Sequence, residues 1–381
     1  MKSFKMNGLS RLFSFVLIAV ILVCTVGFAV GGLQSNNSID SNNSGDVGNN
    51  TDNTDEDTDS KDQISSIDKE NQDGVVEEPD KEPTVQPTKY YNAMTGLEIS
   101  AEDATRSPIG FTVDPLMPLY GVSNSDIAFE FPIENGKSRL LSYTTNYSAL
   151  WKIGSLCPTR AYISFTSNFI GGIVVSYGND DIIKYSAWDA SKIDLDLSDI
   201  SDCYYCENTL YIYTSKDMID KACNNERITS IASYKNPPYK FSDSDILGTL
   251  NAESVIIPYS ADNETELVYY SNSNKYLLFK SGTRKVDMLN GKNISYTNVF
   301  VLFANATTYE THNGTELVLD NTSGGSGYYV SNGYATEIRW SVNEVGELEF
   351  KTLNGEILAI NRGNSYIGYF KASDSLKIKI S

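Results

Sequence analysis

The sequence predicts an α+β protein. It indicates a mixed α/β domain over residues 89–250 and a mainly antiparallel β domain over residues 251–381, behind a membrane anchor and a disordered tether. Three observations support this prediction. An apolar run lies near the N-terminus, an acidic low-complexity stretch follows it, and from about Tyr90 the composition becomes that of a folded chain rich in Tyr, Ile and Ser.

The first segment, residues 1–32, contains an uncharged apolar run of 19 residues at 12–30, which is long enough to cross a membrane once. Lys2, Lys5 and Arg11 precede the run and no cation follows it closely, so the N-terminus is predicted to be cytoplasmic. A cleaved signal peptide, or a lipoprotein signal with an acylated Cys24, are the alternatives. All three interpretations place the bulk of the chain in the extracytoplasmic space. The uncleaved anchor is the favoured one, and it would hold the chain at the cell membrane.

The second segment, residues 33–88, carries 15 acidic residues against three lysines and has few aromatic residues. It has too little apolar surface to offset the entropy of ordering, so it is predicted to be a disordered linker. The whole chain has a formal net charge of −19. A strongly acidic exterior argues against nucleic acid as a partner.

The α/β domain is predicted from alternating apolar segments mixed with two helical patterns. A helix is expected to begin after Pro158, and a second helix is expected to begin after Ser215 as its N-cap. The strands and helices predicted here are strands 108–114, 126–133, 139–146 and 171–178, and helices 159–169 and 215–225.

The β domain is predicted from seven short apolar segments that follow one another after Asn251. Asn-Gly pairs separate several of them, and Asn-Gly between alternating segments is a strong hairpin signal. These pairs lie at 290–291, 313–314, 332–333 and 354–355. The glycine-rich SGGSG at 323–327 is interpreted as another turn between strands.

Four cysteines lie beyond the apolar run: Cys157, Cys203, Cys206 and Cys223. In an oxidising compartment they could form two disulfides, with three possible pairings. Unpaired thiols, or metal or redox chemistry at the C-x-x-C pair, are the alternatives. No metal or cofactor is predicted. The sequence has no phosphate-binding or zinc-hydrolase motif, and its single histidine, His312, lies beside a predicted turn.

Two carboxylates and two arginines are the polar candidates for chemistry. Asp114 and Glu134 follow predicted strands and could form the acid–base pair of an envelope hydrolase. Arg139 and Arg160 offer planar donor groups that could hold an anionic ligand. Each arginine could instead neutralise a carboxylate of its own chain, and this internal salt bridge is the favoured interpretation.

Several segments together resemble the YerB-like family of envelope-anchored bacterial lipoproteins, whose domains have no known function. They include PIGFTVDPLMPLYGVSNSDIAFEFPIENGKSRLLSYT, KIGSLCPTRAYI, RKVDMLNGKNISYTNVFVLFA and LNGEILAINRGNSYIGY, and the resemblance covers roughly residues 90–375. It implies a mixed α/β first domain and a β-rich second domain. The positions that match the family pattern are Asp114, Gly121, Ser123, Asp126, Glu134, Gly136, Arg139, Gly154, Arg160 and Asp287.

The chain also departs from the family pattern. Cys157 stands where the family usually has arginine, and Ser176 and Lys285 stand where it usually has histidine. The lipid-attachment sequence around Cys24 is poor, because Val23 is bulky where a small residue is expected. If these polar residues bind a ligand in relatives, this chain has lost part of the site.

The predicted function is an extracytoplasmic, membrane-tethered binding or scaffold protein of the bacterial cell envelope. The predicted ligand-binding residues are Asp114, Glu134, Arg139, Arg160 and Asp287. The expected partner is a cell-wall fragment, a peptide or an envelope protein. An envelope hydrolase is the alternative.

Overall fold

The computed structural model describes residues 88–381 except 179–193, 209–210, 227, 229–230, 232–236, 312–313 and 345. The predicted anchor, all but the last residue of the predicted linker, and His312 lie outside the described residues. Within the described part, no helix is long and apolar enough to span a membrane. Residues 82–381 form one compact unit.

Short strands and few helices make up the first half of this unit. The strands among its described residues are β1 (Tyr90–Tyr91), β2 (Glu98–Ile99), β3 (Ile109–Val113), β4 (Ile127–Pro132), β5 (Ser138–Thr144), β6 (Ile153–Leu156), β7 (Ile173–Ser176), β8 (Asp194–Asp196), β9 (Tyr205–Glu207) and β10 (Tyr211–Thr214). The α-helices are α1 (Ala101–Ala104), α2 (Ala161–Ser164), α3 (Ser167–Ile170) and α4 (Lys216–Asn225). Short 3-10 helices lie at Val122–Asn124, Glu134–Gly136 and Leu197–Asp199.

In the second half, the secondary-structure elements of the described residues are strands, apart from one 3-10 helix at Ala372–Lys377. The strands are β11 (Lys240–Phe241), β12 (Leu250–Asn251), β13 (Ser254–Ser260), β14 (Asn263–Tyr270), β15 (Lys275–Lys280), β16 (Thr283–Arg284), β17 (Ser295–Tyr296), β18 (Asn298–Ala304), β19 (Ala306–Thr311), β20 (Gly314–Leu319), β21 (Gly325–Ser331), β22 (Tyr334–Val342), β23 (Leu348–Thr352), β24 (Ala359–Ile360), β25 (Ser365–Lys371) and β26 (Lys379–Ile380). The mainly β character predicted for this region is confirmed.

A 14-stranded mixed sheet forms the centre of the fold. Its main order is β12-β22-β21-β18-β25-β4-β5-β3-β6-β10-β9, with β23 beside β22 and β7 joining β3 to β8. Strand β25 runs parallel to both β18 and β4, so strands from residues 89–250 and 251–381 share one sheet. A separate mixed α/β domain is not confirmed, because most of the described helices there are single turns. The predicted boundary at 250 stays a prediction.

Each face of the central sheet is covered by a different layer. A six-stranded sheet, β16-β15-β14-β13-β26 with β17 on β15, packs on one face through apolar side chains such as Val255, Leu267 and Leu278. On the other face, Tyr162 and Ile163 of α2 pack with apolar residues of the central strands. The central strands are therefore buried on both sides, which explains their nearly continuous apolar sequences.

Several local predictions are confirmed. The Ser215 hydroxyl accepts a hydrogen bond from the Met218 amide at 3.3 Å and caps α4. Asn332 and Gly333, with φ of 53° and 81°, form the turn between β21 and β22 that the Asn-Gly pair predicted.

Candidate functional site

Four of the predicted ligand-binding residues come together at one end of the central sheet. Asp114 follows β3 and Glu134 follows β4, while Arg139 lies in β5, which pairs with both strands. Arg160 immediately precedes α2. We call Asp114, Glu134, Arg139 and Arg160 the arginine cluster. These charges come together because β5 lies between β4 and β3 in the sheet, so the ends of the three strands are adjacent.

The Arg160 guanidinium binds groups of its own chain. Its Nε donates to Glu134 Oε2 at 3.3 Å, its Nη2 donates to Glu134 Oε1, and its Nη1 donates to the Thr159 carbonyl at 2.8 Å. The two side chains are only 12% and 19% exposed. Burial opposes ionisation of Glu134, but the hydrogen bonds and charge of Arg160 outweigh it and lower the pKa of this carboxyl below its ordinary 4.5. Arg160 thus forms an internal ion pair.

Replacing Arg160 with alanine is expected to lower the free energy of unfolding at pH 7 by about 2–4 kcal/mol, because Glu134 would lose its partner in a largely buried place. Glu134 has a lowered pKa in the folded state, so its contribution is present above 4.5 and is lost as the pH falls through the lowered value. Urea unfolding of both proteins at pH 7 and pH 3 measures this. A difference of the same size at both pH values would contradict the assignment.

Arg139 has a hydrogen-bond donor without an acceptor among the described residues. Its Nη1 donates to Asp114 Oδ2 at 3.1 Å and to the Ser138 carbonyl at 3.2 Å. Its Nε is buried and has no hydrogen-bond acceptor among the described residues. Asp114 is the more accessible member of the pair, with 21% of its side chain exposed against 11% for Arg139. This part of the cluster has a hydrogen-bond donor that the described residues do not use.

Cys157 lies against the arginine cluster but is unsuited to act as a nucleophile. Burial raises the pKa of its thiol to about 12, although Arg139 and Arg160 favour the thiolate. Cys203 and Cys223 are also buried, Cys206 is exposed, and all four thiols are free in the structure. The disulfide pairing expected from the sequence stays a prediction.

Thiol labelling distinguishes the two states of the cysteines. With free thiols, a maleimide reagent at pH 7 is expected to label Cys206 within minutes and to label Cys157, Cys203 and Cys223 only after unfolding, because burial limits their access. Peptide mapping by mass spectrometry of the unreduced full-length protein provides the measurement. Failure of two cysteines to label after unfolding without reductant would instead establish a disulfide.

Asp287 has a structural role, as an acceptor for backbone amides. Its carboxylate is fully buried and accepts hydrogen bonds from the amides of Gly121 at 3.0 Å, Ser123 at 2.8 Å and Leu289 at 2.9 Å. These bonds join the loop after β3 to the turn before β17. The sequence placed Asp287 with the ligand-binding residues, whereas the structure uses both of its oxygens for backbone amides.

The structure contains a buried ion pair, Glu130 with Lys280, that the sequence analysis did not predict. Lys280 Nζ contacts Glu130 Oε1 at 2.8 Å, and the two side chains are 1% and 0% exposed. The hydroxyls of Ser138, Thr265 and Tyr366 donate to the same carboxylate at 2.6–3.1 Å. The available signal was a single glutamate inside the apolar strand sequence IAFEFP. This network joins the central sheet to the six-stranded sheet.

Comparisons with known proteins agree with this architecture. Residues 255–367 match the family model described as the C-terminal domain of a protein of unknown function, DUF3048. The crystal structure of the YerB protein from Bacillus subtilis is similar, with a TM-score of 0.63 and 22% sequence identity over 77% of this chain and 100% of that chain. The comparison with curated proteins finds no match. The matched domain and the shared fold both agree with the resemblance to the YerB-like family seen in the sequence.

Proposed function

We propose that this chain is an extracytoplasmic, membrane-tethered protein of the bacterial cell envelope that binds a polar ligand at the arginine cluster. The apolar run and the acidic linker of the sequence support the location. One observation carries the binding role: the buried Nε–H of Arg139 has no acceptor among the described residues.

An unpaired buried donor destabilises a protein by about 1–3 kcal/mol, so native proteins keep few of them and each calls for an explanation, of which a bound ligand is one. A carboxylate or carbonyl oxygen of a ligand would accept the Arg139 Nε–H. The partly exposed Asp114 carboxylate would then accept from an ammonium or amide group of the same ligand. A cell-wall fragment that carries a short peptide offers both kinds of group. This is the ligand class that we propose.

The geometry favours binding over hydrolysis. A general acid must hold a proton near neutral pH. Burial opposes the charge on Glu134, but the contacts with Arg160 lower its pKa, so Glu134 is ionised at neutral pH. Asp114 is likewise paired with Arg139. The docking of a whole envelope protein has less support than a small ligand, because the unused donor is a single group with little exposed surface.

The test is a titration of the full-length protein with soluble peptidoglycan fragments that carry peptides. Arg139→Lys keeps a positive charge beside Asp114 but loses the planar donor fork, so it is expected to weaken binding about 10-fold or more. Arg362→Lys, in a surface pair with Asp243, is the matched control and should bind like the wild type. Equal affinity of wild type and Arg139→Lys, or the absence of saturable binding, would overturn the proposal.

A further inference from the structure

A cleft lies on strands β21–β23, on the other side of β18 and β25 from the strands that carry the arginine cluster. Its volume is about 440 Å³, within the range of small-molecule sites. The lining residues are Ser323, Gly324, Gly325, Ser326, Arg339, Trp340, Ser341 and Lys351. This set contains two cations and three hydroxyl groups but no carboxylate.

The two cations stand directly opposite each other. Arg339 in β22 is the antiparallel register partner of Lys351 in β23, so both side chains project from the same face of the sheet. Like charges in this position destabilise a strand pair. The chain as a whole carries a formal net charge of −19, so acidic residues outnumber basic ones and two cations side by side are not expected from composition alone.

The charge of Arg339 is not balanced within the described part of the protein. Its side chain is exposed and makes no hydrogen bond or ion pair with any described residue. Lys351, by contrast, contacts Glu349 at 2.6 Å, and Asn343 also donates to Glu349 at 3.2 Å. Glu349 therefore offsets the charge of Lys351 and leaves the guanidinium of Arg339 with its donors directed to the cleft and the solvent.

The glycine-rich turn lies tightly against the same strand. A Cβ atom at Gly324 would fall 2.7 Å from the Trp340 carbonyl, and one at Gly325 would fall 2.8 Å from Trp340 Nε1. Only glycine permits this approach. Ser326, the register partner of Arg339 on the side opposite Lys351, places its hydroxyl-bearing side chain on the face of the two cations.

We propose that this cleft binds a phosphate group, either free or as an ester, with Arg339 as the main donor. A guanidinium presents two parallel N–H groups that match two oxygens of a phosphate, and Ser326 places a hydroxyl on the same face of the sheet. The site is separate from the arginine cluster. It includes the glycine-rich segment 323–327, which the sequence analysis interpreted only as a turn between strands.

The experiment is a calorimetric titration of the full-length protein with inorganic phosphate and, separately, with glycerol phosphate. Saturable binding of at least one probe is expected, and Arg339→Gln should weaken it about 10-fold or more. Arg284→Gln removes an exposed strand arginine outside the cleft and should leave affinity unchanged. Binding of only the free anion, or only the ester, would identify the source of the group.

Stability provides the second readout. Arg339→Gln should unfold at about the same urea concentration as the wild type, because the exposed Arg339 side chain makes no hydrogen bond or ion pair with a described residue. A variant that is equally stable but binds phosphate weakly therefore supports a ligand site. The proposal is overturned if neither probe binds saturably, or if Arg339→Gln and Arg284→Gln weaken binding equally, which would indicate nonspecific charge attraction.

Discussion

Replacing Lys280 with methionine is expected to lower the free energy of unfolding by about 3–5 kcal/mol. The change leaves the Glu130 carboxylate fully buried without its cation, although hydroxyls of Ser138, Thr265 and Tyr366 still contact it. Glu130 belongs to β4 of the central sheet and Lys280 to β15 of the six-stranded sheet, so the substitution weakens the contact between the two sheets. Urea unfolding of the full-length protein measures it.

A matched control lies in the same strand. Lys275, at the other end of β15, donates to Asn364 at 3.4 Å, and Lys275→Met should change the free energy of unfolding by less than about 1 kcal/mol. The double variant Glu130→Gln with Lys280→Met should recover part of the lost stability, since no unpaired charge remains buried. A loss below about 1 kcal/mol in Lys280→Met alone would contradict the importance of this pair.

Replacing Asp287 with alanine is expected to lower the free energy of unfolding by about 3–5 kcal/mol, because the amides of Gly121, Ser123 and Leu289 lose their fully buried acceptor. Asp287→Asn keeps one acceptor oxygen and should show a smaller loss. Urea unfolding measures the change, and faster hydrogen exchange at these amides would locate it.

The opposite outcome for Asp287 is equally informative. If Asp287→Ala unfolded at the wild-type urea concentration yet no longer bound a wall fragment, the carboxylate would act on a ligand, as the sequence predicted. The structural role assigned here would then be wrong.

Local structure was predictable because its causes are local. Strands β3, β4 and β5 follow from the apolar patterns at 108–114, 126–133 and 139–146, and α4 follows from its N-cap at Ser215. The helix predicted for 159–169 is interrupted between α2 and α3. There the Thr166 hydroxyl donates to the Ile163 carbonyl at 2.8 Å, which is a local competitor of regular helix hydrogen bonding.

Long-range contacts were not predictable in the same way. The parallel pairing of β25 with β4 leaves no local signature, although it joins segments that the sequence assigned to separate domains. The same holds for Glu130 and Lys280, which are 150 positions apart. The sequence also identified both arginines of the cluster as candidates. Only the geometry shows that Arg160 is fully engaged while Arg139 keeps an unused donor.

The most direct test of the account observes that donor itself. The Nε–H signal of Arg139 can be followed by NMR in the ¹⁵N-labelled full-length protein and assigned by its loss in Arg139→Lys. We predict that peptidoglycan fragments shift this signal to saturation while the Nε–H signal of Arg160, bonded to Glu134, moves little. Binding of the fragments with no change in the Arg139 signal, or no binding at all, would contradict the proposed function.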